Sequence, residues 1–148
     1  MPDAVEVQIA NALVAELNDP ARPWAGQFVA ARSWLPIYEA AGLSTLRVSV
    51  VPLTLEQEEL TRTKEQREYG LVVDFQKKVA AATLQADADA LTYLAEQVLD
   101  FFSDDHPLAT LPAYTVRDAK RPDVYDLERL YADLTWETMI ALTVRGYR

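Results

Sequence analysis

The chain has 148 residues, half of them apolar and a quarter charged, with a formal net charge of −9. A chain of this length buries roughly 70% of the surface that its unfolded form exposes, so we expect one self-standing domain over residues 1–148. The absence of cysteine excludes disulfides and thiolate sites, a single histidine excludes a His-rich metal site, and no apolar run reaches the ~20 residues that cross a bilayer.

The acidic residues are concentrated in two segments that contain no lysine or arginine, residues 1–19 and 84–106. Proteins that bind a phosphate backbone do so with clustered Lys and Arg that release counterions. We therefore expect that the protein does not bind nucleic acid directly, and we expect no membrane partner.

The first predicted element is an amphipathic helix. Val5, Ile9 and Leu13 recur every four residues, and the helix should end near Asn18-Asp19-Pro20, because the residue before a proline resists the helical region. Two strands are predicted next, around residues 27–34 and 45–52, with Pro52 ending the second strand or placing it at a sheet edge.

Residues 54–67 are rich in charge and contain two leucines, Leu55 and Leu60. Pairs such as Glu58 and Arg62 could decorate a short helix, and the segment could equally be extended. We favour a long exposed arm at about 54–67, since connections of that length are usually functional or flexible.

Residues 67–79 alternate with a period of two. Tyr69, Leu71, Val73, Phe75 and Val79 share one face, and Asp74, Gln76 and Lys78 share the other. The apolar set predicts a half-buried strand. The polar set is open to three interpretations, in which it faces water, a substrate or another protein.

The remaining elements complete the predicted fold. From Asp87 to Phe102, apolar residues fit the helical template without a miss. A short strand is predicted at Ala113–Val116 and a longer alternating strand at residues 132–144. The order predicts an α+β fold, with a mainly antiparallel sheet of about four to five strands and two helices packed on one face.

The usual catalytic constellations are absent from the sequence. No phosphate-binding glycine loop or nucleophile elbow is present. A triad of Ser103, Asp105 and His106 is conceivable on paper, but a solvated turn after the helix is the better interpretation. We predict that the chain is not an enzyme and has no catalytic, cofactor or metal site.

A basic cluster, formed by Arg117, Lys120 and Arg121, is followed closely by two aspartates. We interpret it as a loop that forms ion pairs between subunits. The tryptophans and tyrosines lack surrounding bases, so core packing or a protein interface explains them better than a platform for nucleobases.

Four pieces in a fixed order resemble a known family. They are the helix Val5-x3-Ile9-x3-Leu13, the strand Leu46-Arg-Val-Ser-Val-Val-Pro52 followed by a charged arm, the strand ending Asp74-Phe-Gln-Lys-Lys-Val79, and the helix at residues 89–102 leading to a strand that ends Leu142-Thr-Val-Arg145. In this order they resemble the tail-terminator, or tail-completion, proteins of long-tailed bacteriophages.

The resemblance implies a virion structural protein of the tail or neck, assembled in the host bacterial cytoplasm. Such a homo-oligomer, usually a hexameric ring, caps the tail tube, ends its polymerisation and joins the tail to a head-tail connector or stopper protein. DNA only passes through the channel, without specific binding. The candidate residues for subunit or tube contacts are Glu56, Glu58, Glu59, Arg62, Lys64, Asp74, Gln76, Lys78, Arg117 and Arg121.

Three alternatives stay open at this point. The first is a head-closure or connector protein of the same neck region. The second is a small enzyme or ligand-binding domain with an unrecognised pocket, and the third is a cellular protein-interaction module. A hexameric mass would favour the ring, and a stable monomer with a deep pocket around His106 or Tyr125 would favour the enzyme.

Overall fold

A computed structural model describes residues 3–59 and 65–147 of the chain. These residues form an α+β fold with six strands and three helices, so the predicted class is confirmed, although the sheet exceeds the four to five strands expected and there is one helix more than the two expected. None of the helices in the described part is long and apolar enough to cross a membrane.

Three helices separate the strands into groups of three, two and one along the chain. The elements are α1 (Val5–Leu17), β1 (Ala30–Arg32), β2 (Arg47–Glu59), β3 (Glu65–Lys78), α2 (Leu84–Ser103), β4 (His106–Leu108), β5 (Leu111–Lys120), α3 (Leu127–Asp133) and β6 (Thr135–Tyr147). Two short 3-10 turns lie at Ala40–Ser44 and Ala81–Thr83.

One sheet contains all six strands, in the order β1-β2-β3-β6-β5-β4. β1 pairs with β2 in parallel, and the other described pairs are antiparallel. At the centre, Val73 of β3 lies between Val50 of β2 and Ile140 of β6. The sheet is therefore mixed, and its antiparallel part dominates as predicted.

The apolar face of β3 forms the floor of the core. Tyr69, Leu71, Val73 and Phe75 are at most 2% exposed, and they belong to one cluster with the buried residues of α1 and α2. Of the six apolar residues of α2 that the helical period selects, Leu99 is only partly buried, and the fold buries the other five: Leu91, Leu94, Ala95, Val98 and Phe102. Local periodicity was sufficient to predict this helix and the strand beneath it.

A buried polar cluster joins helix α1 to the segment that contains β4. Glu16 of α1 is 3% exposed; it accepts hydrogen bonds from the Ala109 amide (2.8 Å) and Arg22 (2.5 Å), and lies 3.0 Å from His106 Nε2. Burial acts to raise the pKa of Glu16, but the Ala109 amide, His106 and Arg22 together outweigh it, and the pKa is lowered. The carboxylate thus connects α1 to β4.

The expected arm at 54–67 is mostly a β-hairpin. Beyond a register shift after Pro52, β2 continues to pair with β3 as far as Glu59 opposite Glu65. β6 supports the same part of β3 from the other side, where Tyr147 lies opposite Gln66. The segment has polar residues on both faces and so lacks alternation, which is why sequence alone favoured a loose connection. Residues 60–64, with Leu60, Arg62 and Lys64, lie outside the described residues.

A further segment, residues 121–134, covers the edge of β6 that β5 leaves open. The Asp126 amide donates to the Glu137 carbonyl (2.9 Å), and Thr138 accepts from Arg121 and donates to the Asp123 carbonyl. Within this α3 segment, Asp126 caps the helix and no residue of α3 is buried. Seven residues are too few for a helix to form alone, so these polar contacts hold it in place.

Candidate interaction surfaces

The outer edge of β2 is open over most of its length. β1 pairs with residues 48–50 only, and in the described part of the chain no other strand pairs with this edge from Val51 to Glu59. Leu53 is 63% exposed there, and Leu55 is 37% exposed. An open edge flanked by apolar side chains can accept a strand from another chain.

Beside this edge lies a shallow apolar cleft of about 310 Å³. Its lining includes Val7 of α1, Trp34 and the β2 residues Pro52, Leu53 and Leu55. Backbone hydrogen-bonding groups and apolar surface therefore occur together at the β2 edge, and both kinds of interaction would strengthen a contact with another chain.

The hairpin residues predicted as contacts fall into two groups. Glu56 is exposed and lies opposite Glu68 in the ladder, while Glu68 pairs with Arg145 of β6 at 2.5 Å. Glu58 and Glu59 belong to β2, but their side chains, like all of Arg62 and Lys64, lie outside the described residues. The hairpin thus presents acidic charge, partly compensated by Arg145.

Two of the three polar residues predicted to face outward on β3 are enclosed instead. Asp74 and Gln76 are each 1% exposed, whereas Lys78 is exposed. Gln76 donates to the Pro36 carbonyl (2.8 Å) and to the Asp74 carboxyl, and it accepts from Arg129 of α3 (2.8 Å). The expectation of an outward-facing surface is therefore wrong for Asp74 and Gln76, because a second layer of loop and helix covers that face.

This enclosed network holds two carboxyl groups and one arginine. Arg129 Nη1 lies 3.1 Å from Glu137 Oε1, and the Oδ1 atom of Asp74 has no donor partner. Burial raises the pKa of Asp74 to about 8, and the neighbouring Glu137 adds to the rise, against the opposing effects of Gln76 and Arg129. Asp74 therefore retains its proton near neutral pH, which limits the charge that the fold must bury.

The predicted basic loop is a strand up to Lys120. Arg117 lies on β5 and pairs with Asp105 at 3.4 Å, with both side chains exposed. Arg121 donates to Thr138 (3.0 Å) and to the Val124 carbonyl (2.7 Å), and burial lowers its pKa. Arg121 thus ties the α3 segment to β6 within one chain, and Arg117 is the more accessible of the two.

The conceivable triad does not assemble. Ser103 donates to the Leu99 carbonyl, Asp105 pairs with Arg117, and His106 lies against Glu16. His106 is also part of β4 rather than of a solvated turn, and it contacts the ring of Phe101. Among residues 3–59 and 65–147, no group of three or more His, Asp or Glu is arranged to hold a metal ion.

Two apolar features were missed by sequence reasoning. One is an exposed run in the loop after β1, where Trp34, Leu35 and Ile37 are 62–75% exposed. The other is a cleft of about 610 Å³ between the start of α2 and the α3 segment, lined in part by Leu84, Val124 and Trp136. The exposed run could have been predicted from the sequence Trp34-Leu-Pro-Ile37, since a proline-containing loop rarely needs so many apolar residues. The cleft could not, because it depends on packing between distant segments.

No family model matches the chain, and no curated protein is significantly similar to it. One solved structure, whose name states no function, is 14% identical and aligns over 99% of this chain and 96% of its own, with a TM-score of 0.38. A likeness of this degree carries no argument about fold or function.

Proposed function

We propose that this protein is a structural subunit of a bacteriophage tail or neck ring that caps the tail tube, ends its polymerisation and joins the tail to the head connector. The observation that carries the proposal is the open edge of β2 from Val51 to Glu59, with exposed Leu53 and Leu55 beside it. The order of a helix, a strand with a charged arm, an alternating strand, and a second helix that leads to a final strand supplies the resemblance to tail terminators.

The edge supports self-association for a physical reason. Unpaired backbone N–H and C=O groups form a template for another strand, and natural proteins usually blunt such an edge. In this chain, the neighbouring β1 protects three residues and then ends. A ring requires a heterologous contact, in which the β2 edge of one subunit meets a different surface of the next.

The charge of the chain fits a channel that DNA must pass through without being held. The net charge is −9, and an acidic wall does not replace the counterions of the phosphate backbone. Exposed Glu56 on the hairpin makes that element the candidate lining of the channel. The tail tube protein and the connector or stopper protein are the proposed partners.

The mass of the purified protein tests the ring. We expect a hexamer by native mass spectrometry and light scattering. The double variant Leu53→Lys, Leu55→Lys places two charges at the β2 edge and should reduce the mass to that of smaller species. Tyr93→Lys is the matched control, because Tyr93 is 63% exposed on α2, away from that edge. A wild-type chain that remains monomeric would contradict the proposal.

Electron microscopy of assembling tails tests the role in termination. Tubes that polymerise without this protein should have uncontrolled lengths, and added protein should restore a uniform length, while the double lysine variant should not. Tubes of normal length in its absence would refute a terminator. Binding to purified heads rather than to tubes would favour the head-closure alternative.

A further inference from the structure

Strand β1 and the residues on either side of it present an apolar projection, which we call the knob, residues 29–37. Val29, Trp34, Leu35 and Ile37 are 62–79% exposed, and the Arg32 guanidinium lies 5.9 Å from the Trp34 ring centroid. Side chains of this size are costly to leave in water when they are grouped. The knob is therefore a surface that gains from being covered.

The knob backbone is held in place while its side chains project. The Ser33 amide donates to the Val50 carbonyl (3.0 Å), the Pro36 carbonyl accepts from Gln76 (2.8 Å), and Tyr38 hydrogen-bonds to Ser49. A partner that binds the knob has little backbone order to impose on it, which reduces the entropic cost of association.

A matching recess lies between the start of α2 and the α3 segment, and we call it the α3 groove. It has a volume of about 610 Å³ and an apolar lining to which Leu84, Ala88, Val124, Leu130 and Trp136 contribute. No knob residue lines the groove, so the chain does not fill it with its own knob. The recess is large enough for one or two apolar side chains.

The charges around the two surfaces are complementary. Arg32 is the one charged residue in the knob sequence, whereas the nearby Arg22 is already paired with Glu16 and the exposed Glu39 lies just beyond the knob. Asp89 lines the groove itself, and Tyr125 forms a wall shared with a second cleft that is lined by Asp123, Asp126 and Glu128. The two arginines of the α3 segment, Arg121 and Arg129, are engaged in hydrogen bonds within the chain.

We propose that the knob of one copy docks into the α3 groove of a second copy, so that the chain associates head to tail. The apolar side chains of the knob then fill the groove, and Arg32 meets its acidic surroundings. Since knob and groove are different surfaces of one chain, the contact is heterologous and generates a ring or a filament. Trp34 of the knob also lines the cleft beside Leu53 and Leu55, so the knob and the β2 edge belong to one side of this contact and the α3 groove to the other. The closure of the ring rests on the proposed function; the pairing of the two surfaces does not.

Two exposed positions allow each half of the contact to be broken separately. Ile37→Asp disables the knob and Val124→Asp disables the groove, and these side chains are 75% and 57% exposed, so the fold should survive both changes. We expect each variant alone to be monomeric by native mass spectrometry. The matched control Tyr93→Asp should keep the wild-type mass, because Tyr93 lies outside both surfaces.

Mixing the two variants provides the decisive measurement. The Ile37→Asp variant keeps an intact groove, and the Val124→Asp variant keeps an intact knob. We therefore expect one heterodimer that contains a copy of each variant, and no larger species. Circular dichroism of each variant should match that of the wild type. The inference is overturned if either single variant keeps the wild-type mass, or if two folded variants form no heterodimer.

The result separates this inference from the proposed function. A ring that forms normally with Ile37→Asp and Val124→Asp would reject the knob and groove while leaving the ring intact. Conversely, formation of the heterodimer together with normal tube lengths in the absence of the protein would reject the role in tail termination and keep the contact.

Discussion

Asp74 and Gln76 show how far a single side chain can be interpreted from its neighbours in sequence. Their alternation with Val73 and Phe75 correctly places them on the face of β3 opposite α1 and α2. The pattern cannot distinguish a face open to water from one covered by a second layer. The cover consists of the loop around Pro36, which is 40 residues away from Gln76, and of Arg129, which is 53 residues away.

The raised pKa of Asp74 predicts a specific dependence of stability on pH. The folded protein keeps this proton, while the unfolded chain releases it above its ordinary pKa of 3.8, so the free energy of unfolding falls as the pH rises from about 4 to about 8. Asp74→Asn has no proton to lose, and should be more stable than the wild type at pH 8. Urea denaturation at a series of pH values gives the free energy of unfolding of each protein. Its slope against pH should differ between the two proteins by up to about 1.4 kcal/mol per pH unit.

Asp104→Asn is the control for this comparison, because Asp104 is an exposed residue immediately after α2. It should leave the dependence of stability on pH close to that of the wild type. Parallel curves for Asp74→Asn and wild type would show that Asp74 is ionised in the folded protein.

Gln76 and Lys78 form a matched pair on the same face of β3. Gln76→Ala should lower the free energy of unfolding by about 1–3 kcal/mol, because it leaves the Pro36 carbonyl without its buried donor and removes one of the two acceptors of Arg129. Lys78→Ala should change it by less than about 0.5 kcal/mol, since that side chain is exposed. Thermal unfolding measures both, and equal effects would contradict the enclosed network.

At the scale of elements, strong local periodicity made helix α2 and strand β3 predictable. The α3 segment and the hairpin were not, because α3 buries no residue and the distal part of the hairpin has polar residues on both faces. Pairing across the sheet holds the distal part of the hairpin, from Glu59 opposite Glu65 to Gln66 opposite Tyr147. Gly70 also constrains the register of β2 against β3. It lies opposite Thr54, and a Cβ atom at this position would collide with the Thr54 side chain.

The register also permits a shortened hairpin that tests its role. Replacing residues 57–67 with Asn-Gly joins Glu56 to Glu68, which lie opposite each other, through a two-residue turn. The Leu55 and Tyr69 pair is retained. We expect the free energy of unfolding to fall by about 1–2 kcal/mol, because the hydrogen bonds at the end of the hairpin are lost. We also expect the shortened chain to form no ring or to bind no tubes.

The shortened chain should be compared with a wild type that has Asn-Gly inserted at an exposed loop, such as after Asp104. Circular dichroism confirms folding, and native mass spectrometry reports assembly. An intact ring that still binds tubes would remove the reason to assign contacts to Glu58, Glu59, Arg62 and Lys64.

At the scale of the whole molecule, Glu16 connects segments that are far apart in sequence, since Ala109 lies 93 residues further on. Its lowered pKa contributes stability that is present above the unfolded value of 4.5 and is lost as the pH falls through the folded value. Glu16→Gln should therefore cost about 1–3 kcal/mol at pH 7.

The difference between Glu16→Gln and wild type should narrow below pH 4.5, as the wild-type carboxylate gains its proton. Unfolding temperatures between pH 3 and 7 measure this, with Glu39→Gln as the control because Glu39 is exposed. A difference that stays constant across this range would show that the charge of Glu16 has no role.

The sequence by itself determined the α+β class, helices α1 and α2 and the alternating strands β3 and β6, because each of these elements repeats its apolar residues at a local period that the core then buries. Tertiary structure alone decided that Asp74 and Gln76 are enclosed, that His106 lies beside Glu16, and that the knob and the α3 groove are left uncovered. Those outcomes depend on contacts between segments separated by tens of residues, and no periodicity within one segment carries information about the segment that packs against it.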